Sequence, residues 1–146
     1  MKIPRLTVVT LGVADLQRAT EFYAQVLGTP PNTSNEGVTF IELPGTWLHL
    51  FPLENLAHDI SPEVSSMRGA FSGFTLAHNA RSKEDVTAII DRARSAGARI
   101  WKEPQEAFWG GFHAYFSDPD GYFWEVVWGP MFEFNAHGDL KFKDAL

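Results

Sequence analysis

The clearest pattern of apolar and polar positions lies near the C-terminal end of the chain, between residues 110 and 128. Tyr115 and Phe116 close a first apolar stretch, and residues 122–128 form a second one rich in aromatic and β-branched side chains. Between them, Asp-Pro-Asp-Gly at 118–121 combines a proline that fixes φ with a glycine that accepts positive φ. This pattern predicts a β-hairpin.

One charged residue, Glu125, interrupts the second strand of this hairpin. Because successive side chains of a strand point to opposite faces, Glu125 shares a face with Phe123 and Val127. An unpaired carboxylate on an apolar face is costly. We therefore expect a metal or another cation to meet Glu125, or this face to open into a pocket.

Two stretches have apolar residues at the three- and four-residue spacing of an amphipathic helix. The first runs from Leu16 to Leu27, with Asp15 as its cap and Gly28 as its stop. The second follows Ser82, which we expect to cap it, and ends at Gly97.

Shorter apolar stretches predict the remaining strands, at residues 6–13, 38–43, 47–53, 70–78 and 98–101. His49 has Trp47 and Phe51 as neighbours on its strand face, so it is placed much as Glu125 is placed in the last strand. Ser61 predicts the start of a short helix, and residues 104–109 are expected to form a loop.

The predicted elements repeat: strand, helix and three short strands occur twice. We therefore divide a single domain, 1–146, into a first module at about 1–56, a connector at 57–69, a second module at about 70–129 and a C-terminal tail at 130–146. The expected fold class is α+β, built from two βαβββ modules.

Composition narrows the classes of function. The chain has 146 residues, of which 45% are hydrophobic and 14% aromatic, as in a folded domain with a sizeable core. A formal net charge of −6 without a basic block argues against nucleic-acid binding. The absence of cysteine excludes disulfides and thiolate metal sites. With no apolar leader after Met1 and no long apolar run, a cytoplasmic protein without membrane contact is expected.

The hairpin at 112–128, with its Asp-Pro-Asp-Gly turn and central Glu125, resembles the C-terminal hairpin of the vicinal oxygen chelate superfamily. Leu-Gly-Val-Ala-Asp-Leu at 11–16 and Val-Leu-Gly at 26–28 resemble its N-terminal motifs. That superfamily includes glyoxalase I, extradiol dioxygenases, fosfomycin-resistance enzymes and bleomycin-binding proteins. Phe-Trp-Gly-Gly at 108–111 and Trp-Glu-Val at 124–126 are similar to an uncharacterised bacterial subgroup. The resemblance implies an eight-stranded half-barrel that floors a cleft.

The resemblance also bears on metal binding. Metal-dependent members of the superfamily take four ligands, usually His and Glu, from strand positions that correspond here to Val8, His49, Phe74 and Glu125. Apolar side chains cannot ligate a metal, and catalytic sites normally keep three protein ligands. We expect no metal and no other cofactor at the superfamily site. A divalent metal held by His49, Glu125 and another donor, such as His113 or Glu42, stays open as an alternative.

Two functions from different classes are consistent with these residues. The first is a binding protein for a small aromatic or cationic molecule, like the bleomycin-binding branch, with a ligand contacted by Trp47, Phe51, Phe74, Trp109 and Phe123. The second is a lyase, isomerase or dioxygenase-type enzyme that uses Glu125 as general base with His49 or His113 as acid. The number of metal ligands favours binding or an activity that the sequence does not assign.

A homodimer is the expected assembly. Each half-barrel of the superfamily leaves an open sheet edge, and open edges are usually paired or covered. The phenylalanines of the tail, Phe132, Phe134 and Phe142, are the candidates to cover a partner.

Overall fold

A computed structural model of the protein describes residues 1–144, which fold into three helices and nine strands. The α+β class is therefore confirmed. Two compact units divide the chain, the first ending at Gly73 and the second beginning at Phe74. The elements in chain order are β1 (Val8–Val13), α1 (Leu16–Leu27), β2 (Thr39–Ile41), β3 (Trp47–Pro52), α2 (Leu53–Ile60), β4 (Leu76–Asn79), α3 (Lys83–Ser95), β5 (Arg99–Glu106), β6 (Phe112–Ser117), β7 (Phe123–Trp128), β8 (Phe132–Phe134) and β9 (Leu140–Phe142).

The first unit packs α1 on a three-stranded sheet of order β1-β3-β2. The side chain of Asp15 accepts a hydrogen bond from the Arg18 N–H, and Gly28 ends the helix in the left-handed region at φ 69°, as the sequence predicted. The apolar stripe of α1 and the inner face of the sheet form the core of this unit: Leu11, Val13, Ala19, Phe22, Tyr23, Val26, Ile41, Leu48 and Leu50 are all buried.

The predicted element order had three short strands after the first helix, but this unit has two, β2 and β3, and one isolated bridge. Asn32 and Phe40 exchange their two backbone hydrogen bonds, but no further pair follows. Pro30 and Pro31 precede Asn32, and proline has no N–H to donate to a sheet. The two main sheets thus hold seven strands rather than the eight that the resemblance implied.

The prediction of a helix that begins at Ser61 is wrong, because the helix of this segment ends at Ile60. Helix α2 spans Leu53–Ile60, and Ser61 follows it in extended conformation at φ −172°. Gly12 of β1 allows α2 to pack closely: a Cβ at this position would lie 2.6 Å from Leu53 Cδ1. The first turn of α2 therefore forms part of the first unit's packing.

The second unit has a four-stranded sheet of order β4-β7-β6-β5. Helix α3 begins as predicted, with the Ser82 side chain accepting from the Asp85 N–H. It packs on β5, β6 and β7, where Phe116 and Trp124 stack at 6.0 Å. The face of this sheet on the α3 side is the core of the second unit.

The predicted hairpin is confirmed as β6 and β7. One carboxylate oxygen of Asp118 accepts from the N–H groups of Asp120 and Tyr122, and Gly121 has φ 85°. This turn fixes the register, so that Tyr115 lies opposite Glu125 and Ser117 lies opposite Phe123.

Three boundaries of the second unit differ from those predicted. The strand predicted at 70–78 begins only at Leu76. The strand predicted at 98–101 continues to Glu106, so the first half of the predicted loop at 104–109 is strand. Strand β5 lies at the edge of the sheet, where Pro104 is tolerated, and its register shifts twice. The tail forms the β8–β9 hairpin, which was not predicted, and residues 145 and 146 lie outside the described residues.

Within residues 1–144, no helix has the length and apolar character needed to cross a membrane.

Candidate functional site

The second sheet has two different faces. Trp124 and Val126 of β7 point toward α3 and are buried, so Phe123, Glu125 and Val127 lie on the opposite face. Their partners on β6 complete what we call the site face: His113, Tyr115, Ser117, Phe123, Glu125 and Val127. This face combines ionisable and aromatic side chains.

The centre of the site face is a pair between His113 and Glu125. His113 Nδ1 lies 2.7 Å from Glu125 Oε2, and the two side chains are only 10% and 21% exposed. Since a carboxylate can only accept, Nδ1 carries the hydrogen and donates it. This pair explains how a glutamate is tolerated in an apolar strand, and it brings together two of the three predicted catalytic residues.

Two aromatic rings hold the His113 imidazole in place. Trp109 and Tyr115 meet it edge to face, with ring centroids at 5.9 Å and 5.5 Å. Tyr115 also lies directly across from Glu125. Burial, together with the charge of Glu125 and a hydrogen bond to it, raises the pKa of Tyr115 above its ordinary value. Tyr115 thus stays a neutral donor beside the carboxylate.

Further along the same face, Phe123 contacts Trp101 of β5, with ring centroids 5.4 Å apart. The indole Nε1 of Trp101 donates to Ser117 Oγ at 2.9 Å. Trp101 is 49% exposed, so this pair of rings is accessible at the surface of the chain.

The first unit has an aromatic cluster of its own, around His49. The imidazole stacks on Phe40 at 4.3 Å and meets Phe51 edge to face at 5.4 Å, while Trp47 contacts Phe40 at 6.0 Å. His49 Nδ1 lies 3.2 Å from Thr10 Oγ1, and its Nε2 is buried without a hydrogen-bond partner in the described part of the chain. Partial burial lowers the pKa of His49, which favours the neutral ring.

Phe51 also borders an open groove of about 510 Å³. The other lining residues come from α2 and are Glu54, Asn55, His58 and Asp59. The sequence did not predict this groove, because α2 itself was not predicted.

Phe74, which was predicted to contact a ligand from a strand, lies two residues before β4 and is 42% exposed. Its ring tilts against Tyr122 at 6.3 Å. The prediction of a strand position for Phe74 is therefore wrong.

The residues at the four superfamily metal positions do not fit a metal. Val8 and Phe74 have hydrocarbon side chains, so two of the four positions offer no metal ligand. Among residues 1–144, no three His, Cys, Asp or Glu side chains are grouped closely enough to form such a site.

The sequence analysis missed Tyr115, Trp101 and Phe40. Tyr115 could have been found by counting outward from the turn at 118–122, because cross-strand partners share a face. Trp101 could not have been found in this way, because its orientation depends on the register shift between Ile100 and Lys102.

Comparison with known proteins agrees with this fold. Residues 5–126 match the family model described as the glyoxalase/bleomycin resistance protein/dioxygenase superfamily. A crystal structure of a glyoxalase-related enzyme from Fulvimarina pelagi is 30% identical and superimposes with a TM-score of 0.84, covering 97% of this chain and 100% of that one.

Two relatives of described activity are similar over most of their length. The metallothiol transferase FosB of Shouchella clausii is 28% identical over 138 residues, which are 94% of this chain and 88% of that protein. A probable lactoylglutathione lyase of Vibrio cholerae is 26% identical over 140 residues, 90% of this chain and 92% of that protein. The resemblance seen in the sequence is thereby confirmed, and the chain belongs to the glyoxalase/bleomycin resistance protein/dioxygenase superfamily.

Proposed function

We propose that the protein binds a small aromatic molecule on the site face of its second unit, and that the ligand presents a hydrogen-bond donor or a cationic group to Glu125. The observation that supports this most strongly is the 2.7 Å pair of Glu125 and His113, set among aromatic rings.

The carboxylate of Glu125 has acceptor capacity for such a ligand. Two oxygens offer about four acceptor positions, and His113 and Tyr115 are its donors on this face. A ligand N–H or ammonium group would therefore find an oriented acceptor. The partial burial of the pair strengthens that interaction relative to one in water.

The aromatic residues supply the apolar part of the site. Trp101 offers exposed ring surface, the half-buried Phe123 contacts it, and Trp109 borders His113. Flat ligands gain stacking energy on such rings, and cationic ligands gain cation–π attraction.

A second candidate function is enzymatic, since the relatives include proteins named as a transferase and a lyase. The observation that favours it is Tyr115, a neutral donor held directly opposite Glu125. In a lyase or isomerase reaction, Glu125 would remove a proton from a carbon next to a carbonyl. His113 would hold the carboxylate, and the Tyr115 hydroxyl would donate to the developing oxyanion.

The binding proposal is tested by a thermal-shift screen of small aromatic compounds, followed by calorimetry on each compound that stabilises the protein. Glu125→Gln should weaken binding about 10- to 100-fold, because a hydrogen bond to a charged group contributes roughly 1.5–3 kcal/mol. Glu84→Gln, an exposed change on α3, is the matched control and should bind normally. Equal affinity of wild type and Glu125→Gln for every compound would refute the proposal.

The same compounds separate binding from catalysis. If the protein is an enzyme, deuterium from D₂O should appear at the carbon next to the ligand carbonyl in wild type but not in Glu125→Gln. Binding without exchange or turnover would favour the first function.

A further inference from the structure

Strand β5 carries an irregularity that changes which side chains reach the site face. Ile100 lies opposite Phe116, on the α3 side of the sheet, whereas Lys102 lies opposite Tyr115, on the site face. The register shifts between them, and a bulge of this kind re-aims a side chain. Trp101 also reaches the site face, where it contacts Ser117 and Phe123.

Two cations accompany Trp101 on this edge of the sheet. The Arg99 guanidinium carbon lies 3.5 Å from the centre of the Trp101 ring, and Lys102 Nζ lies 5.7 Å from that of Tyr115. We call these three residues, Arg99, Trp101 and Lys102, the cationic strip.

Neither cation of the strip forms an ion pair with a carboxylate of residues 1–144. The two glutamates of the same strand are already engaged: Glu103 pairs with Arg94 at 2.7 Å and Glu106 with Lys83 at 2.6 Å. The strip therefore carries two positive charges, next to the aromatic rings of the site face, that no carboxylate of residues 1–144 neutralises. Their placement points to an anionic group that comes from outside the chain.

We propose that the cationic strip binds the carboxylate of an aromatic carboxylate ligand, whose ring lies on Trp101 and Phe123 while a donor group at its other end reaches Glu125. This inference rests on the proposed function and specifies its ligand class: the bound molecule carries an anion as well as a donor.

The spacing of the strands supports one molecule spanning both ends. Lys102, Tyr115 and Glu125 are partners in one row across β5, β6 and β7. With neighbouring strands about 4.8 Å apart, the row measures roughly 10 Å from Lys102 to Glu125. The row of Arg99, Ser117 and Phe123 lies two residues further along, roughly 7 Å away. A small substituted aromatic molecule matches these dimensions.

The chemistry of the strip favours a carboxylate on a flat molecule. A guanidinium group binds carboxylates through two parallel N–H donors. The Arg99 guanidinium carbon lies 3.5 Å from the centre of the Trp101 ring, so this ring contact holds the cation at the edge of the site face. The neighbouring Phe123 then carries the ligand's own ring.

The test compares two probes, 4-aminobenzoate and aniline, which differ only in the carboxylate. Both are titrated by calorimetry into wild type, Arg99→Gln/Lys102→Gln, Glu125→Gln and the exposed control Lys143→Gln. We expect wild type and Lys143→Gln to bind 4-aminobenzoate at least tenfold more tightly than aniline. In Arg99→Gln/Lys102→Gln that preference should fall below twofold, whereas Glu125→Gln should weaken both probes and keep the preference.

Other outcomes separate the inference from the proposed function. If both probes bind wild type equally and Glu125→Gln weakens both, the cationic strip is not a carboxylate site, but the proposed function stands. A preference for 4-aminobenzoate that survives in Arg99→Gln/Lys102→Gln also overturns the inference. Displacement of 4-aminobenzoate by inorganic phosphate at equal concentration overturns the assignment to carboxylates. Failure of both probes to bind at 50 mM counts against the inference and the proposed function together.

Discussion

The pair of His113 and Glu125 can be tested without any ligand, by a double-mutant cycle on stability. Glu125→Met and His113→Leu each remove one partner and replace it with an apolar side chain. Each single change takes from the other residue its partner in the pair, on a face where the two side chains are 10% and 21% exposed. The double variant leaves neither, so it should be less destabilised than the sum of the single variants.

The size of this coupling follows from the geometry. A hydrogen bond to a charged group contributes about 1.5–3 kcal/mol when its partners are buried, and an exposed ion pair contributes about 0.2–1 kcal/mol. Because the two atoms are 2.7 Å apart and the side chains are partly buried, the contribution of this pair should lie between these two ranges. We expect a coupling free energy of about 1–2 kcal/mol. At roughly 2–4 °C per kcal/mol for a chain of this length, it corresponds to about 2–8 °C in Tm.

Urea denaturation at pH 7 measures the four free energies of unfolding. The matched control is the same cycle on Lys83 and Glu106, whose side-chain atoms are as close, at 2.6 Å, but are 43% and 66% exposed. Its coupling should stay below about 1 kcal/mol. If the His113–Glu125 coupling is smaller than that of this exposed pair, the two residues do not form the partly buried bond on which the site rests.

Four further predictions concern other parts of the molecule. Gly12→Ala should lose about 1–3 kcal/mol of unfolding free energy, because the new Cβ would lie 2.6 Å from Leu53 Cδ1 and only 3.3 Å from the Leu53 backbone, which cannot rotate away. Gly69→Ala, with open space around it, should be neutral in the same urea melts. Asp118→Ala should cost about 1–3 kcal/mol, because two turn N–H groups lose their acceptor, and Asp118→Asn should cost less. Burial lowers the folded-state pKa of His49, so the unfolded state binds more protons below about pH 6.5 and the free energy of unfolding falls as the pH drops. His49→Gln should flatten that fall between pH 7.5 and 5, and an unchanged dependence of the free energy of unfolding on pH would contradict this. Light scattering at micromolar concentration should give the mass of a homodimer, since β4 and β5 are open sheet edges; the mass of a monomer would refute this.

The sequence predicted those elements whose signals are local. The first helix is specified by Asp15 and Gly28, and the C-terminal hairpin by its turn, because capping and turn geometry depend on a few neighbouring residues. It did not predict α2 or the β8–β9 hairpin. Helix α2 has only eight residues and no side-chain cap, so it lacked a start signal and depends on packing against Gly12.

The part of the candidate site that was predicted also had a local signal in the sequence. A charged residue in an apolar strand indicated that Glu125 needs a partner, and His113 is that partner. The choice of His113 rather than His49 depends on cross-strand register, and the position of Trp101 depends on a bulge in an edge strand. Such features arise from pairing over long distances along the chain, which periodicity alone does not reveal.

Binding of a small aromatic molecule on the site face is tested most directly by NMR of the five tryptophan indole N–H groups. Saturation with a compound that stabilises the protein should shift the Trp101 and Trp109 signals, because their rings border Phe123 and His113. The Trp124 signal should stay in place, because that ring lies in the core beside Phe116. If instead Trp47 of the first unit shifts while Trp101 and Trp109 do not, the ligand binds elsewhere and the proposed site is wrong.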